Sequence, residues 1–489
     1  MDSAGRGGAG LRNRLRGRGG GGGGGAGGRA PPPAAPGAAP PPPPPPPPEP
    51  PPPPPPLPPP PPPPPPARRR RDPAGPRRLS RGAPAEPPPP SAAPTLRNVA
   101  VGAPSAPLAL TGPAKLEHTP YKNRFGSQKQ VALREFGGSK ETEAAVAAGL
   151  AYLARIQAAE GYWGSAADKH EKYRHVVIGK TGLGLLAFLG AGHSQISGSE
   201  YSAVAERAIR FLLAVQDPET GHFGDSNAYS HGVTTYALAE CYAITRDERL
   251  KAPIEQAVAW ILRKQVRSRN PERDGGWGYY YPDGAVWQND TWPRVSVTSW
   301  QVMALESARL GGFEVPDRAF EAARAFLRGS VDREQGWFRY SHDPARLRSS
   351  YPTLPASTPA GLFAASLLGE DMDQAHYARA RAFLRERAPD GYRFTSEDDF
   401  VYQATGNLYF WYYGTLASFR IGGADWDRWN ERMKTSLLDG QQRDGSWQPI
   451  SLYARYAGDD ENDRSYTTAM CVLSLEIYYR YFTPLLTVK

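Results

Sequence analysis

Apolar residues in this chain follow two patterns, and the two alternate. The stretch "TGLGLLAFLGAG" (181–192) is apolar nearly all round, whereas "YSAVAERAIRFLLAVQ" (201–216) carries one stripe at Val204, Ile209, Phe211, Leu212 and Val215. The first pattern is that of a helix covered on every side, and the second that of a helix with one wet face. The pairing recurs as "GVTTYALAECYA" with "IEQAVAWILRKQ" and as "SVTSWQVMALESARL" with "RAFEAARAFLRGSV". It continues as "TPAGLFAASLLG" with "YARARAFLRERA" and as "GNLYFWYYGTLASF" with "WNERMKTSLLDGQQ". Two patterns lack a neighbour: the striped "TEAAVAAGLAYLARIQ" at the start and the all-apolar "SYTTAMCVLSLEIYYRYF" at the end. They complete each other only if the array closes on itself. The expected fold is therefore all-α, an (α/α)6 toroid of six inner and six outer helices, which needs no capping repeats.

Punctuation supports the same count. A Gly followed within two residues by an aromatic recurs at Gly161, Gly221, Gly275, Gly336, Gly391 and Gly445, at intervals of 54 to 61 residues. Such a Gly is expected to end the outer helix in a left-handed conformation, with the aromatic packed beneath. Each inner helix also has a Thr near its start, at Thr181, Thr234, Thr298, Thr358, Thr405 and Thr467. Its hydroxyl can accept an orphan backbone N–H.

Composition divides the chain. Residues 1–115 are Gly, Pro, Ala and Arg, with an almost unbroken Pro run from Pro40 to Pro66, and all eleven Trp lie beyond residue 160. Such a segment cannot bury enough surface to offset chain entropy, so a disordered Pro/Gly/Arg-rich tail is expected over 1–115. A linker over 116–139 and the toroid over 140–489 follow. The net charge of +9 resolves into +13 for residues 1–135 and −4 for the rest. A mildly acidic body argues against specific nucleic-acid binding. No 18-residue apolar run exists to cross a membrane, and the first residues lack the apolar core of a secretory leader, so a cytoplasmic chain is expected. Cys241 and Cys471, alone on apolar helical stretches, read as small buried hydrophobes.

The turns also carry a family likeness. "YLARIQAAEGYW" (152–163), "RAIRFLLAVQDPETGHF" (207–223) and "LLDGQQRDGSW" (437–447) resemble the repeat of squalene–hopene and oxidosqualene cyclases. That repeat reads basic, small, spacer, aromatic, aliphatic, three residues, Gln, three residues, Gly, one residue, Trp. The likeness extends to protein prenyltransferase β subunits. It is closer to the bacterial "prenyltransferase and squalene oxidase repeat" proteins abundant in planctomycetes, through 296–316, 409–433 and 466–481. It implies a toroid binding a hydrophobic isoprenoid-type ligand in an aromatic central cavity.

The family's catalytic parts are incomplete here. Cyclases protonate an alkene with Asp-x-Asp-Asp; the nearest stretch, "TSEDDFVY", offers Glu397, Asp398 and Asp399 but has Ser396 for the first Asp. "DDEND" (459–463) fits a magnesium-diphosphate motif in spacing but reads as loop. Prenyltransferase zinc ligands are not matched, since Tyr466 stands where their His would and Cys471 lies deep in its helix, so no metal or cofactor is expected. The thioester motif of complement-type toroids is also missing. Candidate cavity residues are His231, Trp300, Tyr409, Trp411, Tyr412 and Tyr466, with Tyr413 and Tyr478 nearby in sequence. Two other readings stay open: a non-catalytic scaffold tethered by its Pro-rich arm to a protein partner, and a carbohydrate-active (α/α)6 enzyme.

Overall fold

The computed structural model describes residues 121–480 except 165–175, 225, 281–290, 345–353, 394–405, 451–453, 455–458 and 461. The tail over 1–115, Glu397, Asp398, Asp399, Thr405 and Trp287 lie outside the described residues. All described residues belong to one compact unit, Pro88–Lys489.

The helices are α1 (Gly126–Phe136), α2 (Lys140–Ile156), α3 (Val176–Gly190), α4 (Ser202–Val215), α5 (Ala228–Thr245) and α6 (Lys251–Lys264). Then follow α7 (Val295–Gly311), α8 (Asp317–Gly329), α9 (Ser357–Leu367), α10 (Ala378–Glu386), α11 (Leu408–Ile421), α12 (Gly423–Gly440), α13 (Ser465–Leu475) and α14 (Ile477–Arg480). Among the described residues the strand-like pairings are single bridges at three repeat turns, Gln216 with Phe223, Val331 with Phe338 and Gln441 with Trp447.

The ring closes. The inner helix α3 packs on α5, α5 on α7, α7 on α9, α9 on α11, α11 on α13, and α13 returns to α3. The orphan outer helix α2 covers the orphan inner helix α13. Burial follows the two apolar patterns: α5 is buried along almost its whole length. The outer helix α8 instead buries Ala319, Phe320, Ala323, Phe326 and Leu327 while Arg318, Glu321, Arg324 and Arg328 face water.

The repeat turns work differently from the sequence expectation. The outer helix ends at the Gln, in extended backbone (Gln157 φ −62°, ψ 129°), and the Gly bends the chain beyond it. The Gln amide then ties the turn to the next outer helix. Gln157 donates to the carbonyls of Gly161 (2.9 Å) and Val204 (3.0 Å), and Gln441 to those of Gly445 (3.0 Å) and Ala145 (2.8 Å). Gln216 and Gln265 repeat this with Pro253 and Ala319. Gly445 is required twice over, by its φ of 89° and because a Cβ there would lie 2.1 Å from the carbonyl oxygen of Ala148.

The turn aromatic is pinned at both ends. Trp447 donates its indole N–H to the Leu437 carbonyl at 2.8 Å, as Trp163 does to Leu153 and Trp277 to Ile261. Its backbone N–H donates to a threonine on the inner helix. Thr181, Thr298 and Thr358 serve Trp163, Trp277 and Phe338, but in the sixth repeat the acceptor is Thr468, not Thr467. So the threonine hydroxyl satisfies a turn N–H and not the helix's own first turn.

One end of the ring, the base, is filled with charge. The sixth inner helix breaks at Glu476, and the short α14 turns in beneath the ring. The stretch read as linker includes a 3-10 turn at Lys122–Arg124 and α1, both packed on α14. Arg124 donates to Glu240 (2.8 Å) and to the Leu189 carbonyl (3.2 Å), while Arg480 pairs with Glu240 (3.0 Å) and Glu476 (3.4 Å). Tyr121 reaches Ser307 on α7 at 3.3 Å. These groups are at most 2% exposed, and Glu240, Glu476 and Arg480 are 0%. Burial drives the Glu240 carboxyl upward, but the two guanidiniums outweigh it and hold it below the usual range. Glu476, less favourably placed, is pushed by burial up to about 8.

Candidate functional site

The other end, the mouth, is where the inner helices begin. Tyr229, Ser296, Tyr409 and Tyr466 are each the second residue of an inner helix, α5, α7, α11 and α13. Equal register in equivalent helices brings them to one level. Asn227 and Asn407 fix two of these starts by accepting the backbone N–H groups of Ser230 (3.1 Å) and Phe410 (3.0 Å).

The tyrosines meet across the ring axis. Helices α5 and α11 are opposite members of the ring, yet the Tyr229 and Tyr409 rings are 6.4 Å apart, edge to face. Tyr229 donates to Ser296 Oγ, and Tyr409 donates to the Ser296 carbonyl at 3.4 Å. Tyr279, from the loop before α7, packs on Tyr229 (5.4 Å), and its hydroxyl lies 3.1 Å from that of Tyr340. One turn deeper, about 5.4 Å along a helix, lies a second aromatic layer. There Trp300 of α7 stacks on Tyr412 of α11 (5.8 Å, 13°) and meets Tyr413 edge-on (5.6 Å). Tyr413 joins the layers through Tyr409 at 5.0 Å and reaches Met303 Sδ at 3.6 Å. Trp300, Tyr412 and Tyr413 are buried, whereas Tyr229, Tyr279 and Tyr466 are only half-buried. The expected lining of a central hole is thus, among the described residues, a stack of rings in mutual contact with an accessible upper layer. Burial holds the Tyr279 and Tyr409 hydroxyls protonated, well above the usual tyrosine range.

The remaining sequence candidates fall elsewhere. Trp411 lies against Tyr392 (6.0 Å), about 200° round the helix from Tyr409. His231 faces the outer wall, with Nε2 donating to the Ala257 carbonyl of α6 at 3.2 Å. Tyr478 belongs to the base, donating to Asn430 at 2.8 Å. The "DDEND" acids make a helix-capping clamp: Lys180 of α3 pairs with Asp459 (2.8 Å) and Asp463 (2.7 Å). Asp459 accepts the N–H groups of Tyr466 (3.2 Å) and Thr467 (2.7 Å), and Asp463 that of Ser465 (2.9 Å). Burial would lower the Lys180 ammonium, but the two carboxylates outweigh it and hold it above its ordinary value. Tyr229, Ser296 and Tyr340 escaped the sequence reading; the signal for the first two is their shared register, second in their helices.

Residues 186–343, from the first inner helix to the stretch after the fourth repeat turn, match the family model of the squalene-hopene cyclase C-terminal domain. Over that stretch the chain is similar to a squalene cyclase-type toroid domain. Among solved structures, it is similar to a type II terpene cyclase from Scytonema at 17% identity, covering 69% of this chain and 98% of that one with a TM-score of 0.46. It is also similar to an inactive α-1,6-mannanase variant from a Salegentibacter species, in complex with α-1,6-mannotriose. That match has 11% identity, 69% and 99% coverage and a TM-score of 0.48. A D-mannose isomerase matches at 12% identity, with 70% and 98% coverage and a TM-score of 0.49. No curated protein matches the chain. Within the ring, two buried carboxylates, Glu240 and Asp459, are committed to arginine or lysine partners. Among the described residues no helix is long and apolar enough to cross a membrane, and no group of three His, Cys, Asp or Glu could hold a metal ion.

Proposed function

We propose that this squalene cyclase-like toroid binds a hydrophobic, isoprenoid-type ligand at its aromatic mouth. The observation that carries the reading is the half-buried layer of Tyr229, Tyr279 and Tyr466 above a rigid aromatic floor. Preformed ring faces give an isoprenoid large apolar contact with little side-chain entropy left to lose. In the same reading Glu397, Asp398 and Asp399 are the acids that would supply a proton, and Ser396 leaves their pairing incomplete. The second reading, a non-catalytic scaffold, draws support from the contact of Tyr229 with Tyr409 across the axis, which leaves less room for a deep substrate.

The test is native mass spectrometry of the full chain incubated with geranylgeraniol, alongside tryptophan fluorescence, since Trp300 stacks directly beneath the mouth. Retention of one isoprenoid, lost in Tyr229→Ala with the fold intact by circular dichroism, is the expected result. No retention and no fluorescence change would return the chain to the scaffold reading. Turnover of squalene that vanishes in Asp398→Asn/Asp399→Asn would make it an enzyme.

A further inference from the structure

Between the second inner helix and its outer partner lies a buried trio that neither ring closure nor the mouth uses. His222 of the repeat turn and His231 of α5 stack parallel, with centroids 4.8 Å apart and planes 1° from parallel. Both are 0% exposed. Trp260 of α6 lies 5.0 Å from His222, and Tyr280 lies 6.1 Å from His231.

Carbonyl partners fix both tautomers, because a carbonyl oxygen only accepts. His222 donates from Nδ1 to the Gly224 carbonyl (3.1 Å), and His231 donates from Nε2 to the Ala257 carbonyl (3.2 Å). His222 Nε2 and His231 Nδ1 are therefore bare acceptors. Each is buried without a partner, and so is the indole N–H of Trp260. A buried acceptor or donor left without a partner loses its hydration with nothing in return, so three in one cluster call for an occupant.

We propose that His222, His231 and Trp260 form a closed site for one small hydrogen-bonding molecule, a water, and that protonating the pair in acid loosens the seam between α5 and α6. A water offers two donors to the two bare nitrogens and an acceptor to the indole N–H, the number of partners a buried water takes. Protonating either ring turns its acceptor into a donor and places a cation in a buried seam. The groups facing the pair do not relieve that charge. Lys264 and Arg263 of α6 sit over the Trp260 ring at 4.6 and 5.2 Å, Tyr280 donates its hydroxyl to Gln301, and Asp217 of the turn opposes Lys264 at His222. Burial, the largest cause, lowers His222 to about 4 and holds His231 well below the ordinary histidine value. With folded values depressed, the unfolded chain binds protons first, so stability is lost as pH falls through and below the ordinary histidine range.

The experiment uses the full chain labelled with 15N-histidine. Near neutral pH two of the eight histidines should show one protonated and one bare nitrogen each and stay neutral when the exposed ones titrate. A trapped-water contact to the Trp260 indole N–H should accompany them. The wild-type thermal midpoint should drop between about pH 7.5 and 5, and His231→Leu should remove about half of that drop. Ring shifts of a charged imidazole near neutrality, no water contact, or an unchanged acid slope in His231→Leu would each overturn the proposal. If His231→Leu does not fold, the histidine spectrum of the wild type decides alone.

Discussion

The base and the mouth of the ring use buried side chains in opposite ways. At the base Arg124, Glu240, Glu476 and Arg480 answer one another's charges and leave no accessible face. At the mouth Tyr229, Tyr279 and Tyr466 keep aromatic surface within reach of solvent. A charge cluster paired within itself holds helices together, whereas a layer of half-covered rings retains something to offer a ligand. The chain's most conspicuous ionic groups are therefore architecture, and its plainest tyrosines are the better functional candidates.

The largest effect expected from this contrast is at the base. Arg480→Met removes one of the two cations on buried Glu240 and the guanidinium beside Glu476, and should lower stability by about 3 kcal/mol, because a buried carboxylate loses part of its compensating charge. Urea unfolding measures it, and a loss no larger than that of Tyr229→Ala would dissolve the distinction between the two ends.

Gln441→Ala comes next. It frees the carbonyls of Gly445 and Ala145 at the seam where the ring closes, at a cost of about 1–3 kcal/mol. An unchanged denaturation midpoint would mean that water replaces the amide and that the turn is held by Trp447 alone.

A smaller effect depends on pH. Glu476 is raised by burial from 4.5 to about 8, so the folded state holds a proton that the unfolded chain releases. Its stabilising contribution is complete below the unfolded value and is lost as pH climbs toward about 8. Glu476→Gln should therefore gain on the wild type in thermal midpoint as pH rises from about 5 to 8, and parallel curves would show Glu476 to be ionised throughout.

The smallest effect sharpens the base from outside. Deleting residues 1–115 leaves Arg124 in place and should leave the midpoint nearly unchanged, since that segment has no apolar periodicity. Extending the deletion through residue 130 takes Arg124 from Glu240 and should be felt like Arg480→Met.

Much of the fold was legible because its signals are local. The all-round and striped apolar patterns, the Gly–aromatic turns and the two unpaired helices identify twelve ring helices and their closure. The purpose of the repeat Gln was not legible, since its second acceptor sits on the next outer helix, as Val204 does for Gln157. The aromatic stack of the candidate site was legible in part. Tyr409, Tyr412, Trp300 and Tyr466 stood out by aromatic density, but Trp411 and His231 stood out equally and point to the wall, because helix phase and not composition decides which side faces the axis.

By itself the sequence determined the elements: where helices start and stop, which are covered on all sides, and where Gly must bend the chain. These depend on interactions within a few residues, where side-chain shape and backbone preference act directly. Only the tertiary structure decided that Tyr229 meets Tyr409, that Lys180 holds Asp459, and that Arg124 shares Glu240 with Arg480. Those partners are far apart along the chain and come within reach only once α13 closes on α3, since the radius of the closed ring, a property of all six repeats together, fixes which side chains span it.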